Sequence, residues 1–322
     1  MARIIDVARL AGVSTATVSR VVNGMPVRPD LAEKVRQAVD ELGYTPDRTA
    51  RTLRRGRSDV IALVLPDIEN PFFTSVARGV EDVASRSDLS VVLCNTDDDP
   101  AKEQRYLQIA RDENMLGVVL APATSEPQLD AFLAQGRPVV VLDRRVAAPV
   151  DQVTFDNLEL GRMATQALID AGCRRIACVT GPVETTTAVD RATGWRQALE
   201  AAGIEVDTDL LRHADFRVEG GFRAATELLR LDPLPDALLA TNNLVGVGAL
   251  RALAGLTRRP HPKVGMIGDL PFSTGTPPDL TLVPLHPRRM GTRAAEMLLE
   301  RTAGLVEPPR TVVLAAHGPL SM

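Results

Sequence analysis

Long apolar runs are missing from this 322-residue chain. No stretch approaches the roughly 20 residues that a membrane-spanning helix needs. The opening residues, MARIIDVARLAGVS, hold neither a long apolar segment nor a small-residue cleavage site, so no secretory signal is expected. Cysteine is scarce. Cys94, Cys173 and Cys178 make an odd number without a CxxC pair. That speaks against a disulfide framework and for small buried residues in the reducing cytoplasm. Histidine is scarce as well: His213, His261, His286 and His317 stand in no metal-ligand spacing. Neither GxSxG nor a GxxxxGK phosphate loop occurs, so no catalytic set, no metal and no cofactor are expected.

What is present is ordinary in bulk and uneven in placement. Hydrophobic residues make up 45% and charged residues 24%, as in a globular protein. The length suits two or three domains. The net charge of −4 would by itself argue against a nucleic-acid partner. Residues 1–57, however, carry eleven Arg or Lys against six Asp or Glu, a net of +5, which leaves −9 for the remainder. A basic end on an acidic body marks the N-terminal piece as the part that meets a polyanion.

That piece reads as three short helices. Ile4, Val7, Ala8 and Ala11 share a face, and Gly12 ends the first helix. Ser14 can cap the next through the backbone N–H of Thr17. Its Val18, Val21 and Val22 point inward, leaving Thr15, Ala16, Ser19 and Arg20 outward. A third helix follows Pro29, with Leu31, Val35, Ala38, Val39 and Leu42 at helical spacing, closed by Gly43 and Pro46. Two helices joined by the tight Ala11-Gly12-Val13 turn, with a third behind, predict a helix-turn-helix unit. Residues 47–58, DRTARTLRRGRS, form a basic joint, too short for a stable isolated helix.

From residue 59 short apolar runs alternate with amphipathic stretches. The strand candidates are DVIALVLPD, SVVLCNTD, GVVLAPA, PVVVLDR, RIACVTG, DALLATNN, VGMIGD, LTLVPL and TVVLAA. Continuous β-branched runs mark strands buried on both faces of a parallel sheet, and the alternation gives an α/β class. There are enough strands for two sheets, hence two lobes with a ligand cleft beyond the strands' carboxyl ends.

The string IDVARLAGVSTATVSRVVNG, with ELGYTPDRTARTL after it, resembles the lactose/galactose-repressor (LacI/GalR) family. So do LPDIENPFF, VVLDR, VTFDN, TGP, ATNN and the closing PRRMGTRAAEMLL, so that the likeness covers essentially the whole chain. The resemblance implies an all-α helix-turn-helix headpiece over 1–46 and a hinge over 47–58. It implies a two-lobed core like a periplasmic binding protein over 59–322, with lobe 1 at 59–157 and 287–307 and lobe 2 at 158–286 and 308–322. It also implies a cytoplasmic homodimer whose headpieces bind a pseudo-palindromic DNA operator, as a repressor controlled by a sugar-like or nucleoside-like effector. The family's tetramers carry a C-terminal leucine heptad, which LAAHGPLSM does not show, so a dimer is expected.

The helix from Thr15 to Asn23 is then the recognition helix, with Thr15, Ala16 and Arg20 reading bases. Arg20 can grip guanine with two hydrogen bonds, while Ser14, Thr17, Ser19 and Asn23 suit phosphate oxygens. Arg3 stands where the family usually has a small hydroxyl cap. Leu53, flanked by Ala50 and Arg54, matches the hinge leucine that wedges into the minor groove, the lesser alternative being an anchor of the linker to the core.

Position matching assigns effector contacts to Asn70, Phe72, Phe73, Asp143, Arg144, Asp156, Phe216, Asn242 and Asp269. Such carboxylates, amides and rings suit a polyol. Phe72 and Phe73 could also be helix-start core, and Asp143 with Arg144 a structural ion pair. Three departures bear on the ligand. Val189 stands where the family has an arginine, Leu285 replaces a common glutamine, and GDLP shortens a loop. Val189 is expected to face the cleft and make one wall apolar, favouring a deoxy-sugar, glycoside or nucleoside, unless Arg191 supplies the grip. The competing readings are a solute-binding receptor without DNA function and an α/β enzyme using the same cleft.

Overall fold

A computed structural model describes residues 2–22, 24–44, 57–257, 260–270 and 280–316. The chain divides into two compact units, Met1–Ser58 and Asp59–Met322. In the first, α1 (Ile4–Ala11), α2 (Thr15–Val22) and α3 (Pro29–Leu42) enclose Val7, Ala8, Ala11, Val18, Val35 and Ala38. The tight turn forms because Gly12 adopts φ of 65°, a left-handed conformation that costs glycine little. Ser14 Oγ accepts from the Thr17 N–H at 3.1 Å, capping α2 as its sequence suggests. At α1 no small hydroxyl stands at the cap; the Asp6 carboxylate instead accepts from the Arg3 N–H at 2.9 Å.

The second unit holds two wholly parallel sheets. Its elements are β1 (Val60–Leu65), α4 (Pro71–Arg86), β2 (Ser90–Asn95), α5 (Pro100–Asp112), β3 (Gly117–Leu120), α6 (Asp130–Leu133), β4 (Val139–Leu142), β5 (Asp151–Phe155), α7 (Asn157–Asp170), β6 (Ile176–Thr180), α8 (Thr186–Ala201), β7 (Leu211–His213), α9 (Val218–Leu228), β8 (Ala237–Ala240), α10 (Asn243–Ala254), β9 (Lys263–Ile267), β10 (Leu280–Val283), α11 (Pro287–Thr302) and β11 (Thr311–Leu314). The first sheet runs β11-β5-β4-β3-β1-β2 and the second β10-β9-β8-β6-β7. The continuous apolar runs VVVL of β4 and IACVT of β6 are buried throughout, as strands covered on both faces must be.

All nine quoted runs are strands. Two more were not legible. β5 begins with Asp151 and Gln152, and β7 is three residues long at a sheet edge.

Helix pairs cover the sheets at very short range. A Cβ on Gly79 of α4 would stand 2.0 Å from the Arg288 carbonyl oxygen of α11, and one on Gly161 of α7 2.1 Å from that of Arg191 in α8. Only glycine lets these backbones meet.

The chain crosses from the first lobe to the second at Asp156 and returns between β10 and α11. The boundary expected at 308 is corrected here. β11 pairs with β5, Thr311 opposite Gln152 through Leu314 opposite Phe155, so residues 311–314 belong to the first lobe. A buried carboxylate draws the strand there. Asp151 accepts from Arg301 Nε at 3.0 Å and Nη2 at 2.7 Å, and from the Arg310 backbone N–H at 2.8 Å and Nη2 at 2.9 Å.

Candidate functional site

A cavity of about 570 Å³ opens between the two lobes. That is within the range of small-molecule sites. From the first lobe it is lined by the start of α4 and the loops after β2 and β4. From the second it is lined by the start of α8, the loops before α9 and α10, and the loop after β9. Loops leaving parallel strands at their carboxyl ends meet here because the two sheets face each other across the crossings.

On the first wall Asn70 caps α4, its Oδ1 accepting from the Phe72 N–H at 3.0 Å. The same oxygen accepts from Asn243 Nδ2 of the opposite lobe at 3.0 Å. Phe72 packs edge-on against Phe73, centroids 5.0 Å apart, and presents a half-buried ring to the cavity. After β4, Asp143 takes φ of 67°. Burial pushes its carboxyl above the ordinary range, with Arg144 and then Arg191 pulling it back. Arg144 is buried. Its Nη1 donates to Asp98 Oδ1 and to the Pro122 carbonyl at 2.9 Å, while its Nε, 3.9 Å from Asp143 Oδ2, has no hydrogen-bond partner.

The second wall carries the guanidinium of Arg191. It is buried, with Nε donating to Asn157 Oδ1 at 2.9 Å and Nη1 to the Thr241 carbonyl at 2.6 Å. Burial lowers its pKa, opposed by Asp143 and Asp190. A guanidinium still stays charged in water's pH range. Asn242 caps α10, accepting from the Val245 N–H at 2.7 Å. The Phe216 ring lies over Gly181, where a Cβ would stand 2.2 Å from its Cζ. Burial raises the Asp269 carboxyl, opposed by His286. Leu285, on the return crossing, completes the lining with an apolar face.

Of the ten effector residues expected from sequence, Asn70, Phe72, Phe73, Asp143, Arg144, Phe216, Asn242 and Asp269 line this one cavity. Asp156 and Val189 do not, and both expectations are corrected. Asp156 is exposed and spends its carboxylate capping α7, accepting from the Glu159 N–H at 3.0 Å. Val189 is 44% exposed. Thr187 and Arg191 line the cavity, and they sit one turn apart on α8. Val189, two residues from each, points to the opposite side of a helix with 3.6 residues per turn. The wall expected to be apolar therefore carries a buried cation.

Sequence reasoning held Arg191 only as a substitute and missed Thr187, Asp98, Asp215, Arg217 and Asn243 as lining residues. The available signal was spacing: Arg191 follows Thr187 by four residues and so shares its side of α8.

In the N-terminal unit Ser14, Thr15, Ala16 and Arg20 are exposed, Ala16 and Arg20 on the side of α2 away from the buried Val18, and Thr17 and Ser19 are half-buried. Asn23, Ala50, Leu53 and Arg54 lie outside the described residues. Among the described residues no helix is long and apolar enough to cross a membrane.

Comparison with known proteins matches both parts of the chain. Residues 3–47 match the model of the bacterial regulatory proteins of the lacI family, and residues 58–267 that of periplasmic binding proteins and the sugar-binding domain of the LacI family. The chain is 36% identical to the HTH-type transcriptional regulator CelR of Thermobifida fusca, over 97% of this chain and 95% of that one. It is 35% identical to the ribose operon repressor of Halalkalibacterium halodurans, over 94% and 90%. Among solved structures, a CelR–cellobiose complex superposes with a TM-score of 0.73 at 34% identity, covering 99% of this chain and 98% of that one. With headpiece, core and cavity all accounted for, the chain belongs to the LacI family of DNA-binding transcription regulators.

Proposed function

We propose that this regulator represses transcription as a cytoplasmic homodimer, reading a pseudo-palindromic operator through α2, and that a neutral sugar of mono- or disaccharide size in the interlobe cavity controls that binding. The observation that carries the effector reading is the charge of the cavity wall. Asp67, Asp97, Asp98, Asp143, Asp215 and Asp269 stand against Arg144, Arg191 and Arg217, a surplus of carboxylates. Carboxylates accept from hydroxyls, guanidinium and amide groups donate to them, and the rings of Phe72 and Phe216 offer apolar faces to a pyranose. A sugar phosphate would meet like charge, which selects against it. CelR is solved with cellobiose, and the ribose repressor names another neutral sugar, which agrees with this chemistry.

For DNA, an exposed arginine on α2 next to two small methyl-bearing residues supports direct base readout. For the dimer, Ile68, Val92 and Leu93 are exposed beside the open edge of the first sheet, and Ile68 is held to β2 by its N–H donating to Asn95 Oδ1 at 2.9 Å. An uncovered apolar edge of this kind suits a second copy.

The test is a thermal-shift and calorimetric screen of the full chain against cellobiose, ribose and glucose 6-phosphate, followed by gel shift with a selected operator. A ligand at 100 times its Kd adds about 2.7 kcal/mol to stability. At least one neutral sugar is expected to bind and to change operator affinity. A phosphate ester binding more tightly than every neutral sugar would overturn the reading.

A further inference from the structure

The three residues after β4 divide their side chains between two jobs. Asp143 and Arg144 line the cavity. Arg145 reaches across to the second lobe instead. Its backbone N–H donates to Thr186 Oγ1 at 3.2 Å, and its Nη2 donates to Asp190 Oδ1 at 3.0 Å and lies 2.8 Å from Oδ2. Thr186 and Asp190 are one turn apart on α8, on the flank next to Thr187 and Arg191, which form the cavity wall. One residue of the first lobe thus grips two points on the helix that carries the second lobe's main cation. These contacts involve protein atoms alone. Arg145 and Asp190 are not among the lining residues, so neither touches the cavity.

We propose that Arg145 is a positioning residue for the cavity. By clasping the first turn of α8 to the end of β4 it sets the spacing between the two walls, and so tunes effector affinity and effector-controlled DNA binding without touching the effector. The consequence for binding rests on the reading of the cavity as the effector site; the clasp itself does not. The buried Asn70–Asn243 amide pair joins the lobes at a second place, so losing the clasp loosens the closure without abolishing it.

Hydrogen exchange of the full chain, with no ligand added, tests this. Arg145→Ala and Asp190→Asn should each raise exchange in segments 66–73 and 242–246, which line opposite walls away from the clasp. The expected rise is about two- to fivefold, the range for losing one partly exposed ion pair. Arg145→Lys keeps the cation and should return both segments to near the wild-type rate. A rise confined to residues 185–191, no rise at all, or no rescue by lysine would each overturn the proposal. Because the readout needs no effector, failure here leaves the sugar reading standing, and failure of the calorimetry leaves the clasp standing.

Discussion

Replacing Asp151 with asparagine should loosen the last strand from the first sheet. The Asp151 side chain is 1% exposed and meets two guanidiniums, those of Arg301 at the end of α11 and Arg310 just before β11. Burial alone would raise its carboxyl, but the hydrogen bonds from Arg301 and Arg310 outweigh that and hold its pKa down to about 2, against an ordinary value of 3.8. A depression of nearly two units corresponds to about 2.5 kcal/mol. Both arginines are partly in water, at 18% and 25% exposure. Solvent screening therefore reduces the charge contribution to about 1–2 kcal/mol.

Asparagine also offers an amide nitrogen where two cations need an acceptor, which adds about 1–2 kcal/mol of unmet hydrogen bonding. A total of about 2–4 kcal/mol lowers the melting temperature of a core this size by roughly 4–16 °C.

The folded pKa lies below the unfolded one, so this stabilisation is complete above about pH 4–5 and is lost as pH falls through 3.8 toward 2. Scanning calorimetry of wild type and Asp151→Asn from pH 7 to pH 3 should show a gap that is constant at first and then narrows. Equal melting temperatures at pH 7, or a gap that does not narrow in acid, would refute the reasoning.

Arg20→Ala should abolish specific operator binding with the fold intact, since a lost two-point base contact costs about 1–3 kcal/mol of discrimination; binding equal to wild type in a gel shift would show that α2 does not read bases this way. Arg191→Ala should remove effector binding and also destabilise the core by about 2–4 kcal/mol, because Asn157 Oδ1 and the Thr241 carbonyl lose their buried donor; calorimetry showing unchanged ligand affinity would sink its role. Val189→Arg should leave effector affinity within about twofold of wild type, as expected of an exposed surface substitution, and a tenfold loss would put the side chain back in the cavity. Gly79→Ala should lower the melting temperature by forcing α4 and α11 apart where a Cβ would stand 2.0 Å from a backbone oxygen, at a cost of about 1–3 kcal/mol, and a variant as stable as wild type would mean that this close approach is not needed.

The sequence by itself determined the features that depend on neighbours along the chain. The Gly12 turn, the Ser14 cap and the inward Val18 follow from local geometry, and α1, α2 and α3 form where their spacing places them. Seven of the nine apolar runs became strands buried along nearly their whole length, which composition alone announces, while β2 and β11 are partly exposed edge strands of the first sheet. Resemblance extended this reading to eight residues of the cavity wall.

Tertiary structure decided whatever depends on a partner far along the chain. Helical periodicity shows that α8 has two sides, but not which side faces the cleft. Packing against α7 at Gly161 chose Arg191 over Val189. Nothing near residue 311 states that β11 joins the first sheet, because its partner strand and the carboxylate that holds it lie about 160 residues earlier. Asn70 caps α4 and Asn243 opens α10, 173 residues apart, and only the meeting of the lobes makes them a pair. Local conformation is written in short-range sterics and spacing, whereas the phase of a helix and the neighbour of a strand are set by which surfaces pack once the whole chain has folded.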